Sequence, residues 1–190
     1  MRAVREYLNY FALFLLLLIG ANPAKAQIFV NNGAQVTVTD SCLVSVHGSM
    51  QNGTVAGPTT NLFDNAGYVW IDGDCINLPN HNLTGFSDAS LNSVFVVKGD
   101  WINSGLFTAY SNTVELDTSF EQAITGNSVT TFHNLYLKGS TDYNIKRQTI
   151  DAIVKGELQI NDSELATDNN NMNVVNTADT AITHNLGFVS

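Results

Sequence analysis

Lysine and arginine together number only 8 in 190 residues, against 17 aspartates and glutamates; there are 3 prolines and 2 cysteines. Each shortage excludes something. After residue 27 the basic residues are Lys98, Lys138, Lys146, Arg147 and Lys155, too few and too dispersed to neutralise a row of phosphates, so nucleic acid is not a partner. The same acidity disfavours an anionic membrane surface. No proline follows Pro79, which leaves backbone pairing uninterrupted over the second half. Helix is also missing as a pattern: no window after residue 27 keeps apolar residues three and four apart between capping signals. What is abundant is Asn, Thr, Ser, Val, Ile and Gly; Thr, Val and Ile suit half-buried strands, and Asn and Gly suit tight corners.

The first 26 residues differ from the rest. Arg2 and Arg5 form a basic start, Phe11 to Ile19 an uncharged apolar run, and Ala24-Lys25-Ala26 a small-x-small site. Together these predict a cleavable export signal, cut between Ala26 and Gln27. The run is well short of the roughly 20 residues that cross a bilayer core, so a membrane anchor is the poorer reading and no membrane insertion is expected of residues 27–190. Neither cysteine sits at the cut, which argues against a lipoprotein. The full chain carries −9; removing the leader's net +2 (Arg2, Arg5 and Lys25 against Glu6) leaves −11, a charge that favours solubility outside the cell. Secreted or cell-surface placement follows. There a disulfide between Cys42 and Cys75 could persist, but sequence does not say whether their Cα atoms come within bridging distance, and the pairing stays open.

Residues 27–190 are long enough for one domain with a real core, and they contain a repeat. Val44-Ser45-Val46-His47-Gly48-Ser49-Met50-Gln51-Asn52 aligns with Val69-Trp70-Ile71-Asp72-Gly73-Asp74-Cys75-Ile76-Asn77 and with Phe95-Val96-Val97-Lys98-Gly99-Asp100-Trp101-Ile102-Asn103. The shared form is apolar, x, apolar, x, Gly, Ser/Asp, bulky, x, Asn. The glycines at 48, 73 and 99 lie 25 and 26 residues apart, a step that suits one coil of a β-solenoid. Stacking predicts columns of Val44, Val69 and Phe95, of Val46, Ile71 and Val97, and of Met50, Cys75 and Trp101. It also predicts an amide ladder of Asn52, Asn77 and Asn103. The alternative is a β-sandwich in which similar hairpins recur.

Further on, periodicity weakens. Candidate strands are Thr113 to Leu116, Gln122 to Thr125, Thr131 to Leu137, Ile150 to Val154, Glu157 to Ile160 and Met172 to Val175. Val154-Lys155-Gly156-Glu157-Leu158 looks like the Gly-centred corner of the earlier copies, and Gly139 to Asp142 and Asp168 to Asn171 read as turns.

One series of segments is familiar as a series: Lys98-Gly99-Asp100-Trp101-Ile102-Asn103-Ser104-Gly105-Leu106-Phe107, then Thr113-Val114-Glu115-Leu116, Gln122-Ala123-Ile124-Thr125-Gly126 and Thr131-Phe132-His133-Asn134-Leu135. With the later Ile153 to Leu158, Ala181 to Thr183 and Gly187 to Ser190, it resembles the large exported β-helix surface proteins of Bacteroidota over most of residues 65–190. The resemblance implies a right-handed parallel β-helix, a surface or secreted location, an adhesin-like role and, for many members, type IX secretion guided by a C-terminal sorting domain. No such domain is present and Val189-Ser190 falls inside the recurring pattern, so the expectation is an N-terminal portion of a longer protein, truncated at its C-terminal end.

Chemistry is sparse. Gly85-Phe86-Ser87-Asp88-Ala89 lacks the final glycine and the helix of a nucleophile elbow. His47, His81, His133 and His184 show no zinc-ligand spacing and read as surface or corner residues, and there is no phosphate loop. Calcium is the least weak metal candidate, through Asp72 and Asp74 or Asp162 and Glu164, but without EF-hand spacing. A lyase or hydrolase would need paired carboxylates on one face, and nothing marks such a pair. Tyr68, Trp70 and Tyr110 are candidates for stacking on a sugar, with core packing as the competing role. The expected function is therefore a non-enzymatic structural or adhesin-like scaffold touching a surface glycan or another surface protein. The alternative is a carbohydrate-active β-helix or a glycan-binding module.

Overall fold

A computed structural model of the protein describes residues 27–55, 61–88, 92–139 and 144–190; the leader, the Ala26 side of its cut and most of the Gly139 to Asp142 turn lie outside them. Every regular element among the described residues is a strand, three to a coil. The first coil holds β1 (Gln27–Asn31), β2 (Gln35–Val38) and β3 (Leu43–Val46), and the second β4 (Gly48–Asn52), β5 (Leu62–Asn65) and β6 (Tyr68–Ile71). The third holds β7 (Cys75–Asn77), β8 (Asn82–Gly85) and β9 (Val94–Val97), and the fourth β10 (Trp101–Asn103), β11 (Leu106–Thr108) and β12 (Thr113–Asp117). The fifth holds β13 (Gln122–Gly126), β14 (Thr130–Phe132) and β15 (Asn134–Lys138), and the sixth β16 (Asn144–Gln148), β17 (Ala152–Val154) and β18 (Leu158–Ile160). The seventh holds β19 (Ser163–Ala166), β20 (Met172–Val174) and β21 (Ile182–His184), followed by β22 (Phe188–Val189).

Each strand pairs in parallel with its counterpart one coil away, which makes an eight-stranded face beginning with β1, a seven-stranded face beginning with β3, and a third face. The third face is two sheets, β2 to β11 and β14 to β20, because β11 and β14 share no ladder. The chain is thus a parallel β-solenoid of about seven turns. A sandwich of hairpins would need antiparallel neighbours, and every ladder here is parallel, so the sandwich alternative falls.

The columns read from the repeat are the observed ones. Val44 pairs with Val69 and Val69 with Phe95; Val46 stacks on Ile71 and Ile71 on Val97. Met50 stacks on Cys75 and Cys75 on Trp101. All these inward side chains except half-buried Val44 are buried, because alternate residues of a strand face opposite sides. Aromatic rings fill the interior from Phe29 through Phe63, Phe95, Trp101 and Phe107 to Phe132, with Trp101 4.9 Å from Phe107 and 5.6 Å from Phe132 between ring centroids. Edge-on and tilted pairs of this kind add about 0.5–1.5 kcal/mol each beyond area burial.

The Asn ladder forms and is longer than the repeat implied. Asn31 donates to Asn52 Oδ1 (3.0 Å), Asn52 to Asn77 Oδ1 (3.0 Å), Asn77 to Asn103 Oδ1 (2.9 Å), and Asn103 to Thr130 Oγ1 (3.1 Å). The same amides also donate to the carbonyls of Leu62, Asn82 and Leu106 on the adjoining face, tying the corner to the next strand. Glycine recurs at 48, 73 and 99 for want of room. A Cβ on Gly73 would lie 2.8 Å from the carbonyl carbon of Gly48, and one on Gly48, at φ +149°, would strike the Gln27 carbonyl. Beside them, Ser49 accepts from the Asp74 amide, Asp74 from the Asp100 amide and Asp100 from the Ala123 amide, each side chain holding the backbone of the coil after it.

Two expectations need correction. Thr131 to Leu137 is two strands, β14 and β15, on different faces, because the chain turns at His133. Gly156 does not repeat the corner of Gly48: it joins β17 to β18, the third face to the seven-stranded one, whereas Gly48 joins the seven-stranded face to the eight-stranded one. His81, read as a surface or corner residue, sits at the corner between β7 and β8, where it is 2 % exposed in space left by Gly53, whose Cβ would lie 1.9 Å from the imidazole ring.

Candidate functional site

The outer side of the seven-stranded face gathers most of the chain's distinctive polar chemistry. Its middle outward column runs Ser45, Trp70, Val96, Glu115, Tyr136, Gln159 and Thr183. The column at the strand ends runs His47, Asp72, Lys98, Asp117 and Lys138, alternating in sign along the stack once His47 is protonated. Opposite charges on neighbouring strands attract, and like charges would repel. The contacts follow: His47 Nδ1 lies 2.9 Å from Asp72 Oδ2, Lys98 Nζ 2.8 Å from Asp117 Oδ2, and Lys138 Nζ 2.8 Å from Glu115 Oε1. Each exposed pair is worth only about 0–1 kcal/mol; their effect is to fix where long side chains lie.

Aromatic rings are set among these charges. The Trp70 indole donates to Asp72 Oδ1 at 2.7 Å, and Lys98 Nζ stands 4.7 Å from the centre of the indole ring, a cation–π geometry. Tyr136 donates to Glu157 Oε2 (3.0 Å), whose other oxygen accepts from Thr183 (2.6 Å), and Lys138 Nζ lies 5.8 Å from the Tyr136 ring centre. Between Trp70 and Glu115, Val96 points outward yet is 0 % exposed, so the long side chains around it close over it. Tyr68 starts the strand that carries Trp70 and shares its outward side, half-buried.

Protonation on this face is shifted away from neutrality. Asp72 is held below the usual carboxylate range by the hydrogen bond from His47 and then that from Trp70. Burial, then the Glu157 carboxylate accepting its proton, pushes the Tyr136 phenol up to about 12. Burial, followed by the Glu115 and Asp117 charges, raises Tyr68. Groups moved in these directions stay in one protonation state near pH 7.

Of the residues singled out in the sequence, Tyr68 and Trp70 come together on this face. Tyr110 does not: it sits in the corner between β11 and β12, 49 % exposed and at φ +50°. The calcium reading of Asp72 and Asp74 is not supported. Asp72 serves His47 and Trp70, and Asp74 accepts the Asp100 amide. Asp162 and Glu164 accept from Asn185 and Ser190. Among the described residues no three His, Cys, Asp or Glu side chains gather to hold a metal ion. The disulfide is absent as well: both thiols are free, Cys75 inside the column between Met50 and Trp101 and Cys42 exposed at an outer corner, its sulfur 3.1 Å from Thr39 Oγ1. Gln27, expected first after the cut, opens β1. Tyr136, Lys98, Glu115 and Glu157 were not anticipated at this site. Tyr136 was findable, since Leu135-Tyr136-Leu137 sets it between two inward apolar residues as Val69-Trp70-Ile71 sets Trp70.

No family model, curated protein or solved structure matches the chain.

Proposed function

We propose that this chain is an exported, non-enzymatic surface or secreted scaffold with an adhesin-like role, which meets its ligand through the outer side of the seven-stranded face. The observation that carries the reading is that Tyr68, Trp70 and Tyr136 stand outward on one stiff parallel stack, among charges that pair with one another. Tyr and Trp are the residues that supply rigid, amphipathic contact area in recognition surfaces. Because both lysines of this face, Lys98 and Lys138, are already paired with carboxylates, no free cation is left on it among the described residues for an acidic ligand, and the favoured partner is a neutral surface glycan, with another surface protein as the second candidate. The leader-like residues 1–26 and the resemblance to exported β-helix surface proteins support the location.

Two measurements test this. Residues 27–190 are titrated with neutral and acidic polysaccharides and followed by isothermal titration calorimetry, which reads the protein and its Trp70 and Tyr68 variants alike. Neutral glycan binding that weakens about ten-fold or more in Trp70→Ala, the loss of one well-packed contact of about 1.4 kcal/mol, supports the reading; binding untouched by Trp70→Ala and Tyr68→Ala removes this face from it. Release of shortened products by rigorously purified protein would instead establish a carbohydrate-active enzyme. Export is checked by sequencing the N-terminus of protein from the producing cell's exterior, where Gln27 is expected first.

A further inference from the structure

The interior of the solenoid changes character after the fifth coil. Up to that point the buried column residues are Met50, Phe63, Leu83, Phe95, Trp101, Phe107, Leu116, Ile124, Phe132, Leu135 and Leu137, and the Asn ladder runs alongside to Thr130. In β16, by contrast, the inward residues are Asn144, Lys146 and Gln148, each at most 1 % exposed, while Ile145 and Arg147 face out. Gln122 stacks on Lys146, and Ile124 on Gln148. Lys146 Nζ donates to Gln122 Oε1 at 2.6 Å and to the Thr118 carbonyl at 2.9 Å, and Gln148 Nε2 to the Asn171 carbonyl at 2.8 Å. Beyond this layer the buried apolar side chains are Ala152, Val154, Leu158, Ile160, Leu165, Ala166 and Ala181, with no ring among them.

These differences act on stability in one direction. Burial stabilises in proportion to apolar area, and a buried amine costs desolvation that its hydrogen bonds only partly offset. Burial holds the Lys146 amine down at about 8, with Asp117 opposing the shift and Lys98 adding to it. In a stacked repeat, stability is close to a sum of coil terms and neighbour terms, so one weak junction divides the stack. All three ladders cross from the fifth coil to the sixth; the weakness is in the side-chain layer, not in the backbone.

We infer that the solenoid consists of two cooperative blocks, an aromatic-cored block of coils one to five and a smaller block of coils six and seven, which separate at the buried Gln122–Lys146 layer. The second block opens first and leaves the outward face at Tyr68 and Trp70 intact while Tyr136 loses its Glu157 partner, so the rod can yield at one end and keep the Tyr68–Trp70 part of its proposed contact surface.

Both tryptophans, Trp70 and Trp101, lie in the first block, so two probes on unaltered protein separate the blocks. In a urea titration of residues 27–190, far-UV circular dichroism, which sees all strands, is expected to begin its transition at lower urea than tryptophan fluorescence. Hydrogen exchange should show the amides of Leu158, Ile160 and Leu165 opening together, about ten-fold or more faster than those of Ile71, Leu83 and Leu116. Lys146→Met removes the buried amine but leaves Gln122 Oε1 and the Thr118 carbonyl without that donor, and it should change exchange in β16 to β18 while leaving β6 to β12 unchanged. Coincident transitions by the two probes would overturn the inference. So would a smooth gradient of exchange along the coils with no step after the fifth, or an equal effect of Lys146→Met on both halves.

Discussion

Replacing Asn77 by alanine tests whether the amide ladder holds the stack together or merely decorates it. Asn77 is 1 % exposed. Its carbonyl accepts from Asn52 (3.0 Å), and its amide donates to Asn103 Oδ1 (2.9 Å) and to the Leu106 carbonyl (3.0 Å). Truncation removes three hydrogen bonds at once. It leaves a buried donor of Asn52 and a buried acceptor of Asn103 short of a partner, and each orphaned group costs about 1–3 kcal/mol. Gly105 packs against the Asn77 amide, where its missing Cβ would lie 2.7 Å from Nδ2, so the neighbouring backbone has little freedom to swing in and replace the lost bonds. The expected loss is about 3–5 kcal/mol, a large part of the 5–15 kcal/mol that stabilises a typical domain. The assay is urea unfolding read by the buried Trp101 and by far-UV circular dichroism together, with Asn173→Ala, at an exposed outward position, as the control expected within about 0.5 kcal/mol of wild type. Asn77→Asp sharpens the test. The aspartate would set an oxygen where Nδ2 now faces two acceptors, so its folded-state pKa must rise above the unfolded value of about 3.9. Stability is then retained at low pH, where the carboxyl is protonated, and lost as pH rises through the raised folded pKa. An Asn77→Ala protein within about 1 kcal/mol of the Asn173→Ala control, both on the order-of-magnitude scale above, refutes the claim that the ladder is structural.

Other outcomes follow from the same geometry. Gly73→Ala is expected to cost about 1–3 kcal/mol through overpacking, because the added Cβ meets Gly48 and Ser49 at 2.6–2.8 Å; unchanged unfolding midpoints would show that the corner has slack. Cys42 should react with a thiol reagent in the folded protein and Cys75 only on unfolding, since burial raises the Cys75 pKa and removes access; equal rates would contradict the interior placement. Lys146 gives a pH signature. Its folded pKa of about 8 lies below the ordinary lysine value of 10.5, so the unfolded chain holds more protons between these values and stability rises with pH, by at most about 3 kcal/mol over the window. The Tyr136 phenol, at about 12 when folded, reverses the trend once unfolded tyrosine ionises near pH 10. The buried Cys75 thiol, which stays protonated while the unfolded one ionises at about pH 8.5, opposes the rise as well, so the Lys146 contribution is read as the stability difference between wild type and Lys146→Met from about pH 8 to about pH 10, with wild type gaining on the variant.

How much of this was legible depended on how constant each coil is. Between Gly48 and Asn103 the coil keeps nearly one length and a fixed Gly-to-Asn spacing, and both are enforced physically: the glycine by the backbone of the coil before it, the asparagine by its neighbours in the ladder. Those residues announced the columns, and the columns are the fold. After Asn103 neither constraint persists. Gly126 takes the ladder position at φ +125°, and Asn103 turns instead to Thr130. β16 went unread because Asn144-Ile145-Lys146-Arg147-Gln148 inverts the rule by which strands are recognised, sending its polar residues inward. Thr131 to Leu137 misled in the opposite way: apolar residues at 132, 135 and 137 read as one strand, although the chain turns a corner between the first and the second.

The outward chemistry was harder to read for a different reason. Alternation tells which residues of a strand face out, but not which other strand lies beside them. Lys98 and Asp117 are 19 residues apart, Tyr136 and Glu157 21, and Trp70 and Lys98 belong to different coils; only the register of unequal coils brings them together. Trp70 was visible as an outward aromatic because its coil belongs to the regular repeat. Glu115, Tyr136 and Glu157 belong to coils whose length the sequence does not declare, and their partnership rests on ladder positions rather than on any local motif. An interior repeat can be enforced residue by residue through sterics and buried amides, whereas an outer face is free to vary from coil to coil. The regular coils therefore carry the architecture, and the irregular ones carry much of what distinguishes this surface.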